Sequence, residues 1–399
     1  MRILIIDFAY QNINRTVMLW QLAWRQAGDA VFFGPGHVSD EDWRHGLKPF
    51  IRLHGPFDVI VTAELLISAL STHQSSEQLK RALDITYECP FNVSSAMDGC
   101  RKVFDEFVEA DAIKVVSMLE FDSYNMNESH YNTLSQNDFY VVGWGEDFIK
   151  PVVCLPGLNN EKFGSRANDR WWEFVTKYRH RVISTPAMVA ETEFYWANLE
   201  HRTERWAVQG ARYYARQLAR RKLNDAKIAW TGKVLVDLIT VLNRINPRLL
   251  RWPSVRTFLN HHWTQGFRTS RYAFTCGSAL RYPIRKYFEI PAAGAVLAAE
   301  PPNGFEALGF RDHENAVITT PETIVEIDAW LRASPSDAQR IASAGRELVW
   351  QQHRVGARAK QYIQAIEAIA ARRFFGSRWQ EGRFVVAGDS SILPFAHEV

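Results

Sequence analysis

The first half of the chain alternates short apolar runs with segments of helical periodicity, and this alternation limits the possible folds more than any other feature. Residues 2–7 form a continuous apolar run, as expected of a parallel strand that is buried on both faces. Helical spacing follows over residues 15–27. Further strands are predicted at residues 30–33, 58–62, 113–118, 139–142 and 182–189. The sequence therefore predicts an α/β fold with a doubly wound parallel sheet.

Polar residues follow the predicted strands, at the end of the sheet where doubly wound proteins bind their ligands. The candidates for a ligand pocket at this edge are Tyr10, Asn12, Glu64, Glu120, Asp122 and Glu191, and Glu193 is a further polar residue after the last of these strands. Taken singly, each is better explained as a helix cap or a turn residue. Taken as a set at one sheet edge, they predict a binding pocket.

The composition becomes charged near residues 195–205, and we place a domain boundary there. The predicted units are residues 1–200, residues 201–371 and a C-terminal segment, residues 372–399, that crosses back to the first unit. A strand at residues 206–210 and a helix at residues 211–223 open the second unit. Gly210 at their junction permits close approach of a ligand to the backbone. Arg212 and Arg216 follow it, whereas Arg220, Arg221 and Lys222 are predicted to form a solvated face. Later in the chain, Thr320 followed by a proline is predicted to begin a helix.

Residues 275–300 combine a small-residue turn, a basic pair, an acid and a later glycine that leads into an apolar strand. These residues are Gly277, Ser278, Arg285, Lys286, Glu289 and Gly294. A helix that begins near Pro283 would place the basic pair and the acid on its first turns, with free N–H groups at its N-terminus. An anion held by Lys286 and a hydroxyl pair held by Glu289 describe a nucleoside diphosphate and its ribose. The alternative is an amphipathic helix with a solvated charged face.

The segment K-Y-F-E-I-P-A-A-G-A-V-L, residues 286–297, resembles the donor site of GT-B glycosyltransferases, specifically the branch related to spore-maturation-protein-type transferases. Glu289 and Gly294 keep the spacing of that pattern, a Phe-Glu pair with a glycine five positions after the glutamate. The resemblance continues through residues 308–310, 314–317, 341–349 and 353–358. It covers the last third of the chain well and the remainder in outline.

This resemblance implies two Rossmann-like domains that face each other across a cleft, with a nucleotide sugar bound by the second and a hydroxyl acceptor by the first. The implied donor contacts are Gly210, Arg212, Arg216, Gly277, Ser278, Arg285, Lys286, Glu289, Gly294, Asn303 and Gly304. The implied acceptor contacts are Tyr10, Asn12, Glu64 and Glu191. Lys286, assisted by Arg281 or Arg285, would stabilise the leaving phosphate. Many retaining members carry a glutamate at the position of Arg281, so the contact to the donor sugar differs here.

The positive charge of the chain is concentrated in one segment. Residues 201–286 carry 18 Lys and Arg against 3 acidic residues, a local charge of +15, although the whole chain carries only +3. This polarity predicts an anionic partner. Within this segment, residues 246–271 are predicted to be irregular and mix Arg, Trp and His. We favour simple packing of this insertion over peripheral membrane contact, and membrane contact over binding of nucleic acid.

No metal or other cofactor is predicted. Asp40, Glu41 and Asp42 have the D-x-D form of metal-dependent transferases, but they follow Ser39, a good N-cap, and the helix dipole favours acids in a first turn. The four cysteines lack metal-ligand spacing and indicate a reducing, cytoplasmic environment. The start of the chain does not have the form of a signal peptide, and no apolar run has the length of a membrane span.

These features predict a metal-independent glycosyltransferase that acts on a hydroxyl of a surface glycan, a lipid-linked sugar or another biomolecule. The resemblance favours retention of the anomeric configuration. An inverting enzyme would need a base, for which Asp122 and Glu120 are the candidates. Two alternatives remain open: a sugar-nucleotide epimerase or hydrolase on the same fold, and a nucleic-acid-binding protein or DNA-modifying glycosyltransferase.

Overall fold

Two parallel sheets organise the chain. The computed structural model describes residues 1–11, 16–70, 73–85, 87–118, 128–151, 165–211, 213–278 and 280–388. The first sheet has the strand order β2-β1-β3-β4-β5-β6, and every neighbouring pair in it is parallel. Its strands are β1 (Arg2–Ile6), β2 (Asp29–Phe33), β3 (Val59–Ala63), β4 (Ile113–Met118), β5 (Tyr140–Gly143) and β6 (Val182–Ser184).

The helices that flank the first sheet are α1 (Thr16–Ala27), α2 (Asp40–His45), α3 (Leu47–His54), α4 (Glu64–Leu70), α5 (His73–Ile85), α6 (Val93–Glu109), α7 (Glu128–Gln136) and α8 (Ser165–Lys177). The strands β1 and β3 are almost completely buried, as continuous apolar runs require. The six strands predicted from apolar runs all form, with ends shifted by a few residues. The last one is shorter than predicted and ends at Ser184.

The second sheet repeats this topology. Its order is β11-β10-β9-β7-β8, with β7 (Glu204–Ala207), β8 (Trp230–Thr231), β9 (Ser270–Thr275), β10 (Val296–Ala299) and β11 (Val317–Ile318). Its helices are α9 (Tyr214–Asp225), α10 (Lys233–Ile245), α11 (Pro253–Thr269), α12 (Lys286–Ala292), α13 (Ile324–Ala333) and α14 (Pro335–Gln352). In both sheets the second strand lies on one side of the first, and the third lies on the other side. This change of side creates a switch point between the first and third strands.

The carboxyl ends of the two sheets face each other. Trp144, just after β5, contacts the ring of Tyr282, which follows β9, with ring centroids 5.0 Å apart. The amide of Asn303, in the loop after β10, donates to the carbonyl of Phe148 at 3.4 Å. On the other side of the cleft, Arg256 of α11 donates to the carboxylate of Glu88 at 2.6 Å. Both switch points therefore open towards one cleft.

The C-terminal part of the chain returns to the first sheet. Helix α15 (Val355–Ala370) packs against α1, and the rings of Trp24 and Tyr362 stack at 4.4 Å. A hairpin of β12 (Ser377–Gln380) and β13 (Arg383–Val386) follows, and Trp379 donates to the carbonyl of Ser184 at 3.0 Å. The chain thus lies on the first sheet from Val355 onward, ahead of residue 372, where the sequence places the crossing. The domain boundaries at 200 and 371 stay predictions.

Two local predictions were wrong. Residues 246–271 are not irregular: a 3-10 helix at Pro247–Arg251 is followed by α11 and by the start of β9. Thr320 does not begin a helix, because α13 starts at Ile324. Within the described parts of the chain, no helix is both long enough and apolar enough to cross a membrane.

Candidate active site

The candidate site lies at the switch point of the second sheet, where β7 and β9 end side by side. The chain leaves β9 through Cys276, Gly277 and Ser278, and Ser278 has a left-handed backbone with φ of 61°. Arg285 then caps α12, whose first residue is Lys286. The chain leaves β7 through Gly210, which has φ of 104°. These two turns bring Gly210, Cys276 and Lys286 together.

Gly210 lies directly against two cationic side chains. A Cβ atom at this position would lie 2.7 Å from Cε and 2.9 Å from Nζ of Lys286, and 3.0 Å from a guanidinium nitrogen of Arg216. Arg216 is fully buried and donates to the carbonyl oxygens of Ala211 at 3.3 Å and Cys276 at 3.4 Å. Only glycine fits here, because the site needs both the left-handed backbone and the close approach of Lys286.

Neither cation forms an ion pair with a carboxylate among the described residues, although the charge of Glu289 acts on Lys286 and that of Glu300 on Arg216. Nε of Arg216 is buried without a hydrogen bond, and the ammonium group of Lys286 lies 4.9 Å from the centre of the Trp263 ring. Burial, followed by the nearby Arg216 guanidinium, lowers the pKa of Lys286 to about 7. A partly buried cation beside a fully buried one is unfavourable unless an anion joins them. The arrangement would suit an anionic group.

Arg285, the neighbour of Lys286 in sequence, has the opposite environment. Its guanidinium donates to both carboxylate oxygens of Glu193, at 2.5 and 2.6 Å, and to Oε1 of Glu289. Burial alone would lower the pKa of Arg285, but the carboxylates of Glu289 and Glu193 together raise it. Arg285 is thus committed to two acids. The phosphate contacts predicted for Arg285 and for Arg216 stay predictions.

Glu289 is buried in the first turn of α12. Its Oε1 accepts from Arg285, and its Oε2 has no hydrogen bond within the described chain. Gly294, which the spacing pairs with it, lies at the other end of α12. A Cβ there would be 2.6 Å from a guanidinium nitrogen of Arg202 and 2.7 Å from the carbonyl oxygen of Tyr195. Its contacts are therefore remote from Lys286.

The loop after β10 completes the site. Glu300 is half-buried and donates its backbone N–H to Thr275 at 3.3 Å. Burial raises the pKa of the Glu300 carboxyl group, although the positive charge of Arg281 opposes this shift. The carbonyl of Arg281 accepts from the backbone N–H of Asn303 at 2.8 Å. Gly304, with φ of 73°, packs against the ring of Phe148 from the first sheet.

Buried cations next to a buried carboxylate, at the switch point of a parallel sheet, suit a phosphorylated ligand that also carries hydroxyl groups. The match to known families agrees with this chemistry. Residues 146–364, more than half of the chain, match the family described as glycosyl transferase-like. The chain belongs to that glycosyl transferase-like family.

Solved structures identify the fold of this glycosyltransferase. HepE of Anabaena in complex with UDP and glucose has a TM-score of 0.51 and 11% sequence identity, and the match covers 92% of this chain and 100% of that one. HepE in complex with UDP has a TM-score of 0.50 and 9% identity, with 92% and 100% covered. Sucrose-phosphate synthase of Thermosynechococcus elongatus has a TM-score of 0.46 and 11% identity, with 93% and 100% covered. No curated protein sequence matches the chain. The two facing parallel sheets form a GT-B fold.

Two of the four predicted acceptor residues, Tyr10 and Glu64, lie at the first switch point or close to it. Tyr10 follows β1 and its ring stacks on Tyr87 at 4.9 Å, and Glu64 begins α4 directly after β3. Glu191 lies elsewhere: its carboxylate accepts from the N–H of Gly356 at 2.8 Å and is 3.6 Å from Arg354. Glu191 therefore binds the N-terminus of α15. Four further predicted residues, Asn12, Glu120, Asp122 and Arg212, lie outside the described residues.

Two other predictions concern surface charges. Arg220 does not belong to a solvated face, because its guanidinium donates to the carbonyls of Val208 at 2.8 Å and Gly210 at 3.1 Å. It supports the Gly210 turn, whereas Arg221 and Lys222 are exposed as predicted.

The N-cap prediction for Ser39 is confirmed, since its hydroxyl accepts from the N–H of Asp42 at 3.1 Å. Among the described residues, no three His, Cys, Asp or Glu side chains are grouped closely enough to hold a metal ion.

Three residues of the site were missed or given another role. Glu193 was noted only as a polar residue after the last strand of the first half, and no local pattern links it to Arg285, 92 positions away. Trp263 was assigned to an irregular insertion, yet α11 places its ring beside Lys286. Glu300 could have been found, because it follows directly on the apolar strand β10, where a ligand-binding edge is expected.

Proposed function

We propose that this glycosyltransferase moves a sugar from a nucleoside-diphosphate or nucleoside-monophosphate sugar to a hydroxyl acceptor. One observation carries the proposal: Lys286, which is partly buried, and Arg216, which is fully buried, lie side by side around Gly210, and neither forms an ion pair with a carboxylate among the described residues. A phosphate group would supply the missing negative charge. The HepE crystals that contain UDP and UDP-glucose support this donor class.

In the proposed reaction, the bond between the anomeric carbon and the phosphate oxygen breaks, and a bond from that carbon to the acceptor oxygen forms. The electron pair of the broken bond stays on the departing phosphate. Fixed positive charge at Lys286 and Arg216 stabilises this developing charge. The proton of the acceptor hydroxyl passes to a phosphate oxygen in a retaining reaction, or to a protein base in an inverting one.

We propose that Glu289 accepts hydrogen bonds from the ribose of the donor. The free Oε2 atom of Glu289 supports this role, as does the position of Glu289 one helical turn from Lys286. Glu300, which follows β10 and faces the charges of Arg281 and Arg216, is a further acceptor for hydroxyl groups of the bound donor. Arg281 replaces the glutamate of many retaining enzymes, so a different group must contact the sugar.

The donor proposal is tested by binding. Thermal unfolding of the full chain should shift upward with UDP, GDP or ADP and with inorganic pyrophosphate, because a ligand that binds only the folded state stabilises it. Lys286→Ala should lose the shift with pyrophosphate, and Lys222→Ala, the same change on an exposed lysine of α9, should keep it. Equal shifts in wild type and Lys286→Ala would contradict the proposed anion site.

We also propose that the reaction needs no metal and retains the anomeric configuration, as the spore-maturation-protein-like branch implies. Activity should survive excess EDTA, and rescue by Mg²⁺ or Mn²⁺ would overturn metal independence. The anomeric proton coupling of the first product, measured by NMR, decides the stereochemistry. Product analysis with and without acceptor separates transfer from the epimerase or hydrolase alternative.

For the acceptor, we propose a lipid-linked sugar or a surface glycan, reached by peripheral contact of the cytoplasmic protein with an anionic membrane. The surface that supports this proposal extends beyond residues 246–271. Val234, Val241 and Ile245 are 80%, 47% and 72% exposed and lie on one face of α10. Trp252 is 57% exposed at the start of α11. Residues 233–271 carry seven basic residues and one acidic residue, a net charge of +6 that complements anionic lipid.

Sedimentation with vesicles tests the membrane proposal. The protein should bind phosphatidylglycerol vesicles and lose most of this binding when Val241 and Ile245 are both changed to Asp. Binding of a 40-mer of single-stranded DNA, measured over increasing salt, tests the nucleic-acid alternative, because phosphate-driven binding weakens steeply with salt. Self-association in solution without vesicle binding would assign the apolar face to a second copy of the chain and contradict the membrane proposal.

A further inference from the structure

A buried triad of side chains joins the segment after the first sheet to the candidate donor site. Arg285, the N-cap residue of α12, lies between Glu193 and Glu289. The side chain of Arg285 is 13% exposed, and those of Glu193 and Glu289 are each 8% exposed. Arg285 also donates from Nε to the carbonyl of Met188 at 3.3 Å. The triad therefore ties residues 188–193 to the first turn of α12.

The two acids use Arg285 differently. Glu193 receives a two-pronged contact, with both of its oxygens bonded to one guanidinium nitrogen, and its Oε2 also accepts from the N–H of Ala190 at 2.8 Å. Glu289 offers only Oε1 to Arg285. Glu193 thus occupies one terminal nitrogen of Arg285, the other bonds only Oε1 of Glu289, and Oε2 of Glu289 stays available to another donor.

We propose that Arg285, held in place by Glu193, is a positioning residue that presents one carboxylate oxygen of Glu289 to the ribose of the bound nucleotide. The inference rests on the proposed function, because it deepens the role given there to Glu289. The bond from one terminal nitrogen of Arg285 holds Oε1 of Glu289, and Glu193, which occupies the other terminal nitrogen, prevents Arg285 from taking both oxygens of Glu289.

Removal of the charge on Glu193 should therefore weaken recognition of the ribose. In Glu193→Gln the amide oxygen can still accept from Ala190, but Arg285 keeps only one negatively charged partner. It should then draw closer to Glu289 and compete with the ribose hydroxyls. The anion site at Lys286 and Arg216 has no bond to the triad among the described residues and should keep its affinity for phosphate groups.

The test measures recognition of ribose separately from recognition of phosphate. Calorimetry with the full chain would compare three probes: the tightest binder among UDP, GDP and ADP, its 2′,3′-dideoxy form, and inorganic pyrophosphate. Wild type should prefer the ribonucleotide by about 10- to 150-fold, the range for hydrogen bonds to a charged group. In Glu193→Gln this preference should fall to about 3-fold or less, with pyrophosphate affinity unchanged.

Glu191→Gln is the matched control, because it makes the same change two residues away on a carboxylate that binds Gly356 and Arg354 instead. It should keep the wild-type preference. Arg285→Lys provides a second variant, since it keeps the charge but loses the fork, and it should lose the preference as Glu193→Gln does.

The outcomes separate this inference from the function on which it rests. If wild type binds none of the three nucleotides, or binds ribose and dideoxyribose forms equally, the ribose role of Glu289 fails and the positioning role falls with it. A wild-type preference that persists in both Glu193→Gln and Arg285→Lys overturns the positioning role alone. An equal loss for all three probes would show that the triad only supports the fold, and that result also overturns it.

Discussion

Two consecutive residues at the start of α12 carry the same charge in opposite surroundings. Lys286 faces Gly210 and Arg216, and neither cation forms an ion pair with a carboxylate among the described residues. Arg285 lies between Glu193 and Glu289 and is bonded to both. The difference shows how the fold divides its positive charge: Arg285 stabilises the apo protein, whereas Lys286 and Arg216 are held at the expense of stability.

This division has an energetic explanation. A buried cation without a partner is unfavourable by several kcal/mol unless it loses its proton, and the lowered pKa of Lys286, about 7, expresses that penalty. A paired and hydrogen-bonded cation such as Arg285 avoids most of it. A site that keeps unbalanced charge is typical of a binding or catalytic function, which natural proteins retain although it lowers stability.

The largest expected effect is a loss of stability when Arg285, the cation with two acidic partners, is replaced. Arg285→Met should lower the free energy of unfolding by about 3–5 kcal/mol, because it leaves Glu193 and Glu289 buried without a counter-charge. Urea denaturation of the full chain at pH 7 measures this change. Lys286→Met, the same type of change one residue away, should raise the free energy of unfolding, since it removes a partly buried charge that has no ion-pair partner among the described residues. Similar destabilisation of both variants would contradict the contrast drawn between these residues.

The next effect concerns turnover. If Lys286 stabilises charge that grows on the leaving phosphate, Lys286→Ala should lower kcat by about 10²–10³, as loss of one preorganised donor does. Steady-state kinetics with a saturating donor measures it.

Arg221→Ala and Lys222→Ala are suitable controls on the exposed face of α9, whereas Arg220 is not, because it binds the carbonyl of Gly210. A variant that raised KM and left kcat unchanged would make Lys286 a uniform binding contact and move the catalytic charge elsewhere.

The sequence predicts where the charged residues of α12 lie better than it predicts which residues surround them. The strands of the first sheet follow from apolar runs, as do β7 and β10 of the second, whereas β8, β9 and β11 were not predicted. The lysine and glutamate of α12 follow from spacing within a few residues. The partners do not. Glu193 reaches Arg285 across 92 positions of sequence, and Trp263 reaches Lys286 only because residues 253–269 form a helix. Local patterns identify which charges are present, but the tertiary structure decides which of them are balanced.

The same limit explains the predictions at the edges of the site. Gly294 was assigned to the donor because it keeps the spacing to Glu289, yet a seven-residue helix puts it at the opposite end from Lys286. Glu191 was grouped with ligand residues because it follows a strand, but its carboxylate binds the start of α15, which returns from 165 positions later in the chain. Spacing predicts position along an element and does not predict which surface the element presents.

A smaller effect, on nucleotide affinity, is expected at Glu289, which bonds Arg285 and lies in the same helical turn as Lys286. Glu289→Ala should weaken nucleoside diphosphate binding by about 1.5–3 kcal/mol, the range for hydrogen bonds to a charged group. Calorimetry with UDP, GDP and ADP measures it, and affinity for pyrophosphate should change much less. Because Arg285 would keep Glu193, the loss of stability should be smaller than in Arg285→Met. Unchanged nucleotide affinity in the folded variant would rule out the ribose role.

The smallest expected effect is a pH dependence that belongs to Lys286 alone. With its pKa lowered to about 7 by burial and by Arg216, the free protein loses the proton of Lys286 as the pH rises above 7. A bound diphosphate raises this pKa, so binding above pH 7 must take up a proton, and affinity should fall as the pH rises, by at most about tenfold per pH unit. The second phosphate ionisation, near pH 6, is already complete in this range. Calorimetry at pH 8 in buffers of different ionisation enthalpy should therefore detect the uptake of close to one proton.

Lys286→Arg, which stays charged, should bind without proton uptake, and its affinity should not change from pH 7 to 9. Equal proton uptake in both proteins would mean that another group titrates, and that Lys286 already has a counter-charge in the free protein.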